Sequence, residues 1–443
     1  MNFILSVTGQ HSQKNKQLTG LTPRLTITTK MTTLITNIAQ LINTREKTTL
    51  LRGAALAHLP SMENAFLLIE DGIIAEYGPM YELELKVPQL PKHIIDAKGQ
   101  FVLPAWCDSH THIVFAKTRE EEFIDKIKGM SYAEIAANGG GILNSVAKLN
   151  AATEDELFNS AWERLEEVSK LGTGAIEIKS GYGLTVEGEL KMLRVIKKLK
   201  ERSNLRIKAT FLGAHTYPIA YKDNHQVYID CIINEMLPVI AKEKLADYID
   251  VFCETGFFSP EEMETICNAG MSYGLKPKLH VNQLNSIGGI ESAIKLNALS
   301  VDHLETMTDN DIALLNGSPV MGTLLPTAAF FLRMDYQPAR KLIDNNCAIA
   351  LATDYNPGSS PSGNMNFVIA LSCIQMKMLP EEAINAATIN GAFAMELENE
   401  TGSITIGKKA NLIFTKPIPS IAYLPYSFGT NLIDKVMING EFV

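Results

Sequence analysis

The chain has 443 residues, of which 46% are hydrophobic and 20% charged, and these values exclude a disordered, collagen-like or coiled-coil protein. The net charge is −9 and no basic run is interleaved with aromatic residues, so we expect neither a nucleic-acid nor a membrane partner. Six scattered cysteines without a C-x-x-C pair, and apolar runs always shorter than about 18 residues, predict a cytoplasmic protein without a spanning helix.

Residues 1–30 differ in composition from the rest of the chain. They contain no Asp or Glu, carry four basic residues and precede a second methionine, Met31. This composition is typical of a transit segment, but the apolar stretch is short and no small-residue cleavage site follows cleanly. We therefore favour an upstream extension or a misassigned start over a targeting segment, and we expect residues 1–30 to be disordered.

Residues 31–104 have a short-strand pattern. An Asp71-Gly72 turn separates two apolar runs, and a second turn is predicted near Lys98-Gly99. The pattern predicts a small antiparallel β unit.

Residues 105–399 alternate apolar strands with amphipathic helices, which indicates βαβ units on a parallel sheet. One such helix covers residues 184–201 and has an apolar face interrupted by lysines at solvent positions. The candidate strands are 107–115, 175–183, 207–215, 248–256, 276–283, 298–305, 319–326 and 348–356. Eight strand–helix pairs predict an α/β fold with a closed (β/α)₈ barrel.

Residues 400–443 return to a strand pattern, with turns at Ile406-Gly407 and Asn439-Gly440. A two-stranded unit is marginally stable alone. We therefore predict that residues 31–104 and 400–443 together form one composite β-sandwich beside the barrel.

The strongest chemical signal is the H-x-H motif of His110 and His112 at the end of the first barrel strand. Alternate residues of a strand face the same side, about 6.6 Å apart at roughly 3.3 Å per residue, so the two imidazoles can share one metal ion. Neutral imidazole is a good ligand for zinc or iron.

The other predicted strand ends add to this signal. His215, His280 and His303 lie at the ends of strands three, five and six, and Asp354 lies at the end of strand eight. Five of the nine histidines thus fall where barrel enzymes assemble their active sites. This clustering predicts a catalytic site rather than separately buried structural histidines.

Five motifs in order give the chain a family resemblance: DSHTHIVFAKTREEEF, EIKSGYGL, HVNQLNSIGG, VDHLE and ATDYNPGSSPS. Together they resemble the amidohydrolase superfamily of metal-dependent hydrolases and, within it, the imidazolonepropionase family, over residues 33–440. The resemblance implies hydrolysis of 4-imidazolone-5-propanoate to N-formimidoyl-L-glutamate, the third step of histidine degradation, and a homodimer.

The resemblance implies a metal site made by His110, His112, His280 and Asp354, holding one zinc or iron ion per chain. In the superfamily a lysine that ends the fourth strand can bridge two metals, but that strand reads DVFCETG here. The missing lysine favours a single metal.

The resemblance also implies roles in catalysis. Asp354 accepts the proton of the attacking water and passes it to the leaving nitrogen, while His303 and Gln283 orient the substrate or polarise its carbonyl. Some family members carry Glu at the position of Gln283, so an acid/base role for this residue stays open.

Recognition of the propionate is implied for Arg119, which follows the H-x-H motif in a loop and can bind a carboxylate bidentately. The alternative is a loop arginine that pairs with Glu120 to Glu122. The other implied substrate-binding residues are Tyr182, His215, Gln283, Asn356, Gly358 and Ser359.

Two other functions are compatible with the same ligands. One is another amidohydrolase, such as a heterocycle deaminase, which we expect to lack a carboxylate-binding arginine. The other is a non-catalytic metal-binding paralogue, which we expect to have lost ligands. Arg119 distinguishes the first alternative, and the retained Asp354 argues against the second.

Overall fold

The computed structural model describes residues 31–130, 134 and 140–443, so the expectation for residues 1–30 lies outside the described part of the chain. Its strands form two eight-stranded sheets. In the described ranges, no helix has the length and apolar character needed to cross a membrane.

The strands in chain order are β1 (Thr32–Ile42), β2 (Ser61–Glu70), β3 (Ile73–Pro79), β4 (His93–Asp96), β5 (Phe101–Pro104), β6 (Trp106–Asp108), β7 (Thr173–Lys179), β8 (Arg206–Ala214), β9 (Tyr248–Cys253), β10 (Lys276–Val281), β11 (Ser300–His303), β12 (Met321–Leu324), β13 (Ile349–Leu351), β14 (Leu412–Thr415), β15 (Ile433–Ile438) and β16 (Glu441–Phe442).

The first sheet joins both ends of the chain in the order β16-β15-β14-β5-β1-β2-β3, with β4 also paired to β1. Strand β14 pairs with β5, and this pairing unites residues from before and after the barrel. The sheet is mixed, whereas residues 31–104 were predicted to be antiparallel. The prediction was wrong for β4 and β5, because the chain crosses over after β3 and both strands then run parallel to β1.

Two predicted turns of this sheet are confirmed. Asp71 and Gly72 have φ values of 49° and 78°, and Asn439 and Gly440 have values of 50° and 82°, as two-residue hairpin turns require. The turns also pack together. A Cβ atom at Gly72 would lie 2.3 Å from the Asn439 carbonyl oxygen, so only glycine fits there.

The second sheet is the barrel, in which β6 to β13 are parallel and neighbours in chain order. All eight predicted strands are present. Beyond the carboxyl ends of β6 and β13, the Asp354 amide donates to the His110 carbonyl at 3.0 Å, and the His112 amide donates to the Tyr355 carbonyl at 2.9 Å. These two hydrogen bonds join the residues that follow β6 to those that follow β13, and so hold the H-x-H motif beside Asp354.

The helices pack their apolar faces on the outside of the barrel. The predicted helix at 184–201 is observed at Val186–Arg202, where the Thr185 hydroxyl caps its first turn by accepting from the Gly188 amide. In the part of the chain that the structure describes, the α-helices with described bounds are Leu83–Lys86, Glu120–Ile127, Ile142–Ala151, Glu154–Lys170, Val186–Arg202, His225–Cys231, Leu237–Glu243, Pro260–Ser272, Gly289–Lys295, Asp309–Leu315, Pro326–Leu332, Ala339–Asp344, Met365–Ile374, Pro380–Ala387, Ile389–Phe393 and Tyr423–Tyr426.

The barrel interior carries charges where branched apolar side chains are usual. The buried charged residues of β7, β9, β10 and β11 are Glu177, Lys179, Asp250, Lys278 and Asp302. Lys278 on β10 contacts Glu177 on β7 at 3.0 Å, and these strands are not neighbours, so the contact crosses the barrel interior. We call these five residues the lumen cluster.

Candidate metal centre and substrate cavity

His110 and His112 follow β6 by two and four residues, and their rings point their Nε2 atoms toward each other. The two Nε2 atoms are 3.3 Å apart, and Asp354 Oδ1 lies 3.5 Å from the first and 3.6 Å from the second. Tetrahedral ligands about 2.1 Å from an ion are separated by about 3.4 Å. The three donor atoms therefore have the spacing that one bound cation requires.

Burial lowers the pKa of both histidines well below its ordinary value. Both rings are therefore neutral at neutral pH, and each offers a lone pair. Two facing nitrogen lone pairs repel each other unless a proton or a cation lies between them. The chemistry of the donors fits a metal ion.

His280 completes the group from β10. Its donor atom lies within 4.8 Å of those of His110 and His112, and burial lowers its pKa as well. The three imidazoles form one group that can hold a metal ion, and His110, His303 and Asp354 form a second. Three to four protein ligands are typical of hydrolytic sites that keep a position for water.

Asp354 is held in the left-handed backbone region, with a φ of 53°. Its Oδ2 accepts from the Ser359 hydroxyl at 3.1 Å, and burial raises the pKa of the carboxyl group to about 6. The Asn356 side chain shapes the same turn, because its Oδ1 accepts from the Gly358 and Ser359 amides. Asn356 therefore holds the loop in shape, and its role in substrate binding stays a prediction.

Arg119 is largely buried and pairs with Glu122. Its Nε and Nη2 atoms lie 2.8 and 2.6 Å from Glu122 Oε2. The alternative considered from the sequence, pairing within Glu120 to Glu122, is therefore observed, but the arginine is not an exposed loop residue. The Nη1 end lies against Gly358, where a Cβ atom would approach it to 2.3 Å.

A cavity of about 490 Å³ brings the predicted residues together. All the predicted site residues except His110 line this cavity. They are His112, Arg119, Tyr182, His215, His280, Gln283, His303, Asp354, Asn356, Gly358 and Ser359. His110 is fully buried behind the cavity wall, next to the ring of His112.

The pKa values of the remaining ring side chains are shifted in different directions. The His215 ring stacks on His112 with 5.5 Å between centroids, and burial lowers its pKa to about 4. For His303, burial disfavours the charged form, but the charges of Glu305 and Asp354 outweigh burial and raise its pKa. Burial raises the pKa of the Tyr182 hydroxyl, so this group stays protonated and can donate a hydrogen bond.

Sequence reasoning missed the residues beneath the site. Asp302 lies 2.7 Å from His110 Nδ1, Asp250 lies 2.7 Å from His280 Nδ1, and Lys179 lies between the two carboxylates. The signal was present in the strands, since AIEIK, YID and SVD place charged residues inside apolar runs. Glu122, the partner of Arg119, was named only within an alternative.

Comparison with known proteins agrees with this geometry. Residues 252–443 match the amidohydrolase family. The imidazolonepropionase of Flavobacterium johnsoniae is 60% identical, covering 93% of this chain and all of the relative. That of Clostridium tetani is 43% identical, covering 88% of this chain and 93% of the relative. The chain belongs to the imidazolonepropionase family.

Solved structures confirm the fold class. The E. coli guanine deaminase aligns with a TM-score of 0.69 at 14% identity, covering 93% of this chain and 99% of that one. A zinc-containing adenosine deaminase from Xanthomonas campestris aligns with a TM-score of 0.68 at 15% identity, covering 93% and 92%. At this identity the alignments establish a shared architecture alone, so the deaminase alternative gains nothing from them.

Proposed function

We propose that this member of the imidazolonepropionase family hydrolyses the cyclic amide C–N bond of 4-imidazolone-5-propanoate to give N-formimidoyl-L-glutamate, the third step of histidine degradation. The proposal is supported by one observation above all. A donor set suited to a metal ion and a guanidinium group suited to a carboxylate line the same small cavity. The substrate carries both groups that such a cavity would recognise, a ring carbonyl and a propionate.

The metal of this proposal is one zinc or iron ion per chain, held by His110, His112, His280 and Asp354. When bound, such an ion would polarise the ring carbonyl and lower the pKa of water from about 15.7 toward about 7. We assign one ion because β9, the fourth barrel strand, contains no lysine that could bridge two ions.

Asp354 is the proposed proton carrier. The water oxygen forms a bond to the carbonyl carbon, the ring C–N bond breaks, and Asp354 moves the water proton to the leaving nitrogen. Its Oδ2 is fixed by the Ser359 hydroxyl, so the carboxylate is held in one position, as proton transfer by a side chain requires. His303 and Gln283 orient the carbonyl. A side-chain amide is neither an acid nor a base near neutral pH, so Gln283 acts by hydrogen bonding.

Arg119 is the proposed anchor of the propionate. Glu122 engages the Nε and Nη2 atoms, which leaves the Nη1 end and one Nη2 hydrogen for a second carboxylate. Tyr182 and His215 contact the ring, while Asn356, Gly358 and Ser359 contact the glutamate end of the product.

We further propose the larger organisation of the protein. Residues 31–104 and 400–443 form a composite β-sandwich, and residues 105–399 form the catalytic barrel. The protein acts in the cytoplasm as a homodimer on a small molecule, without nucleic-acid or membrane partners.

The test is an assay of the purified full chain with 4-imidazolone-5-propanoate. We expect loss of the imidazolone absorbance, stoichiometric N-formimidoyl-L-glutamate by mass spectrometry, no release of ammonia, and about one zinc or iron ion per chain. Ammonia release from a heterocycle whose ring stays closed would identify a deaminase instead.

A further inference from the structure

Two of the proposed metal ligands are held from behind by carboxylates. His110 Nδ1 lies 2.7 Å from Asp302 Oδ2, and His280 Nδ1 lies 2.7 Å from Asp250 Oδ2. Asp250 also accepts from the His280 backbone amide at 3.0 Å. Each ring is therefore tied at the nitrogen that faces away from the other donors.

This contact fixes the tautomer of each ring. An ionised carboxylate only accepts hydrogen bonds, so Nδ1 must carry the proton and Nε2 must carry the lone pair. The ring orientation is fixed by the same bond, since rotation about χ2 would break it. Both Nε2 atoms are thus prepared for a cation before any cation binds.

The two carboxylates share one counterion. Lys179 Nζ lies 2.9 Å from Asp250 Oδ2 and 3.6 Å from Asp302 Oδ2, and 2.7 Å from Glu177 Oε1. All of these side chains are fully buried. Two buried carboxylates that lie beside the same ammonium group require its positive charge or strong hydrogen bonds to stay ionised.

A hydrogen bond from β11 completes the arrangement. The Ser300 hydroxyl donates to Asp302 Oδ1 at 2.6 Å, which leaves Oδ2 for His110. The side chains of β7, β9, β10 and β11 therefore set the direction of the ligands across the barrel interior.

We propose that Asp250 and Asp302, joined by Lys179, are the positioning residues that aim His280 and His110 at the metal. This proposal rests on the metal site of the proposed function. It concerns the charged residues of the lumen cluster, which no comparison assigns.

The experiment measures metal affinity in the full chain. Metal-free wild type, Asp250→Asn and Asp302→Asn are titrated with Zn²⁺ against a chromophoric chelator, and the visible d–d spectrum of the Co²⁺ form is recorded for each. We expect each variant to bind Zn²⁺ about 10- to 100-fold more weakly, because partners of ligating histidines contribute on that order. The Co²⁺ spectrum should change in position or intensity.

Asp311→Asn is the matched control. Asp311 is a buried carboxylate with several hydrogen bonds, but it caps the helix Asp309–Leu315 and contacts none of the proposed ligands. We expect this variant to lose thermal stability while it keeps wild-type Zn²⁺ affinity and Co²⁺ spectrum.

A double-mutant cycle tests whether Lys179 acts through Asp250 and Asp302, whether its replacement raises or lowers the Zn²⁺ affinity. Lys179→Met should alter Zn²⁺ affinity in the wild-type background and alter it several-fold less in the Asp250→Asn, Asp302→Asn background, because its carboxylate partners are gone. If the double aspartate variant does not fold, Ser300→Ala serves as a milder perturbation of Asp302, because it removes the hydrogen bond to Asp302 Oδ1 and keeps the carboxylate. We expect it to weaken Zn²⁺ binding less than Asp302→Asn does.

Two outcomes overturn the inference. One is wild-type affinity in both Asp250→Asn and Asp302→Asn, and the other is equal weakening in Asp311→Asn, which would show a general effect of destabilisation. A wild type that binds no Zn²⁺ would instead overturn the metal site of the proposed function.

Discussion

Replacement of Arg119 tests how the substrate is recognised. In the structure the guanidinium is largely buried, pairs with Glu122 and lines the cavity. Arg119→Ala leaves the substrate propionate without its partner in a partly desolvated pocket. Loss of one partner of a buried charge pair costs about 2 to 5 kcal/mol.

The structure narrows the expected range of this free-energy cost. Glu122 already neutralises part of the guanidinium charge, so we expect a cost near the lower end, about 2 to 3.5 kcal/mol. At about 1.4 kcal/mol per decade, kcat/KM falls roughly 30- to 300-fold. Arg119→Lys should recover only part of the loss, because a point charge cannot keep the Glu122 contact and grip the propionate bidentately at once.

The assay compares two substrates in each variant. An imidazolone that lacks the carboxylate should be a poor substrate of the wild type and be turned over equally by Arg119→Ala. Glu122 loses its ion-pair partner in this variant, so Arg119→Ala with Glu122→Gln serves as the control for local disorder. If both substrates lose activity by the same factor in both variants, Arg119 does not recognise the propionate.

Three further predictions follow from the site. Chelation of the metal should abolish turnover, and addition of about one zinc or iron ion per chain should restore it. The circular dichroism spectrum should stay unchanged, because a barrel of this size has its own hydrophobic core. Full activity only at two ions per chain would contradict the single-metal proposal. Asp354→Asn should lower kcat by about 10² to 10⁴, and retention of more than about a tenth of kcat would exclude it as the proton carrier. Gly358→Ala should raise KM for the carboxylated substrate alone, because the new Cβ would lie 2.3 Å from Arg119 Nη1 and push the guanidinium away. Gly429→Ala is the control and should leave KM unchanged, because a Cβ there meets no atom within 4 Å.

The sequence alone was sufficient for the barrel and for the end of it at which the histidines gather. Parallel strands that are buried on both faces read as apolar runs between amphipathic helices, and such runs are visible without coordinates. Histidines and an aspartate at the ends of those runs must meet, because the carboxyl ends of barrel strands share one face. This is why the strand-end histidines and Asp354 could be placed at one end of the barrel, whereas the choice of His110, His112, His280 and Asp354 as ligands came from the family resemblance. The terminal sheet was less predictable, since strand direction depends on a crossover that local pattern does not encode.

Only the tertiary structure decided what stands behind and beside those residues. Asp250, Asp302 and Lys179 lie on three different strands; each aspartate is a single charge in an apolar run, and Lys179 shares its run with Glu177. Whether such a charge is paired, exposed or functional depends on which strand faces it across the barrel. Arg119 raises the same question, because the sequence allowed either a bond to Glu122 or a place in the cavity and the structure has both. Sequence fixes residue identity and local periodicity, whereas charge pairing is a property of distances between segments that only the folded chain brings together.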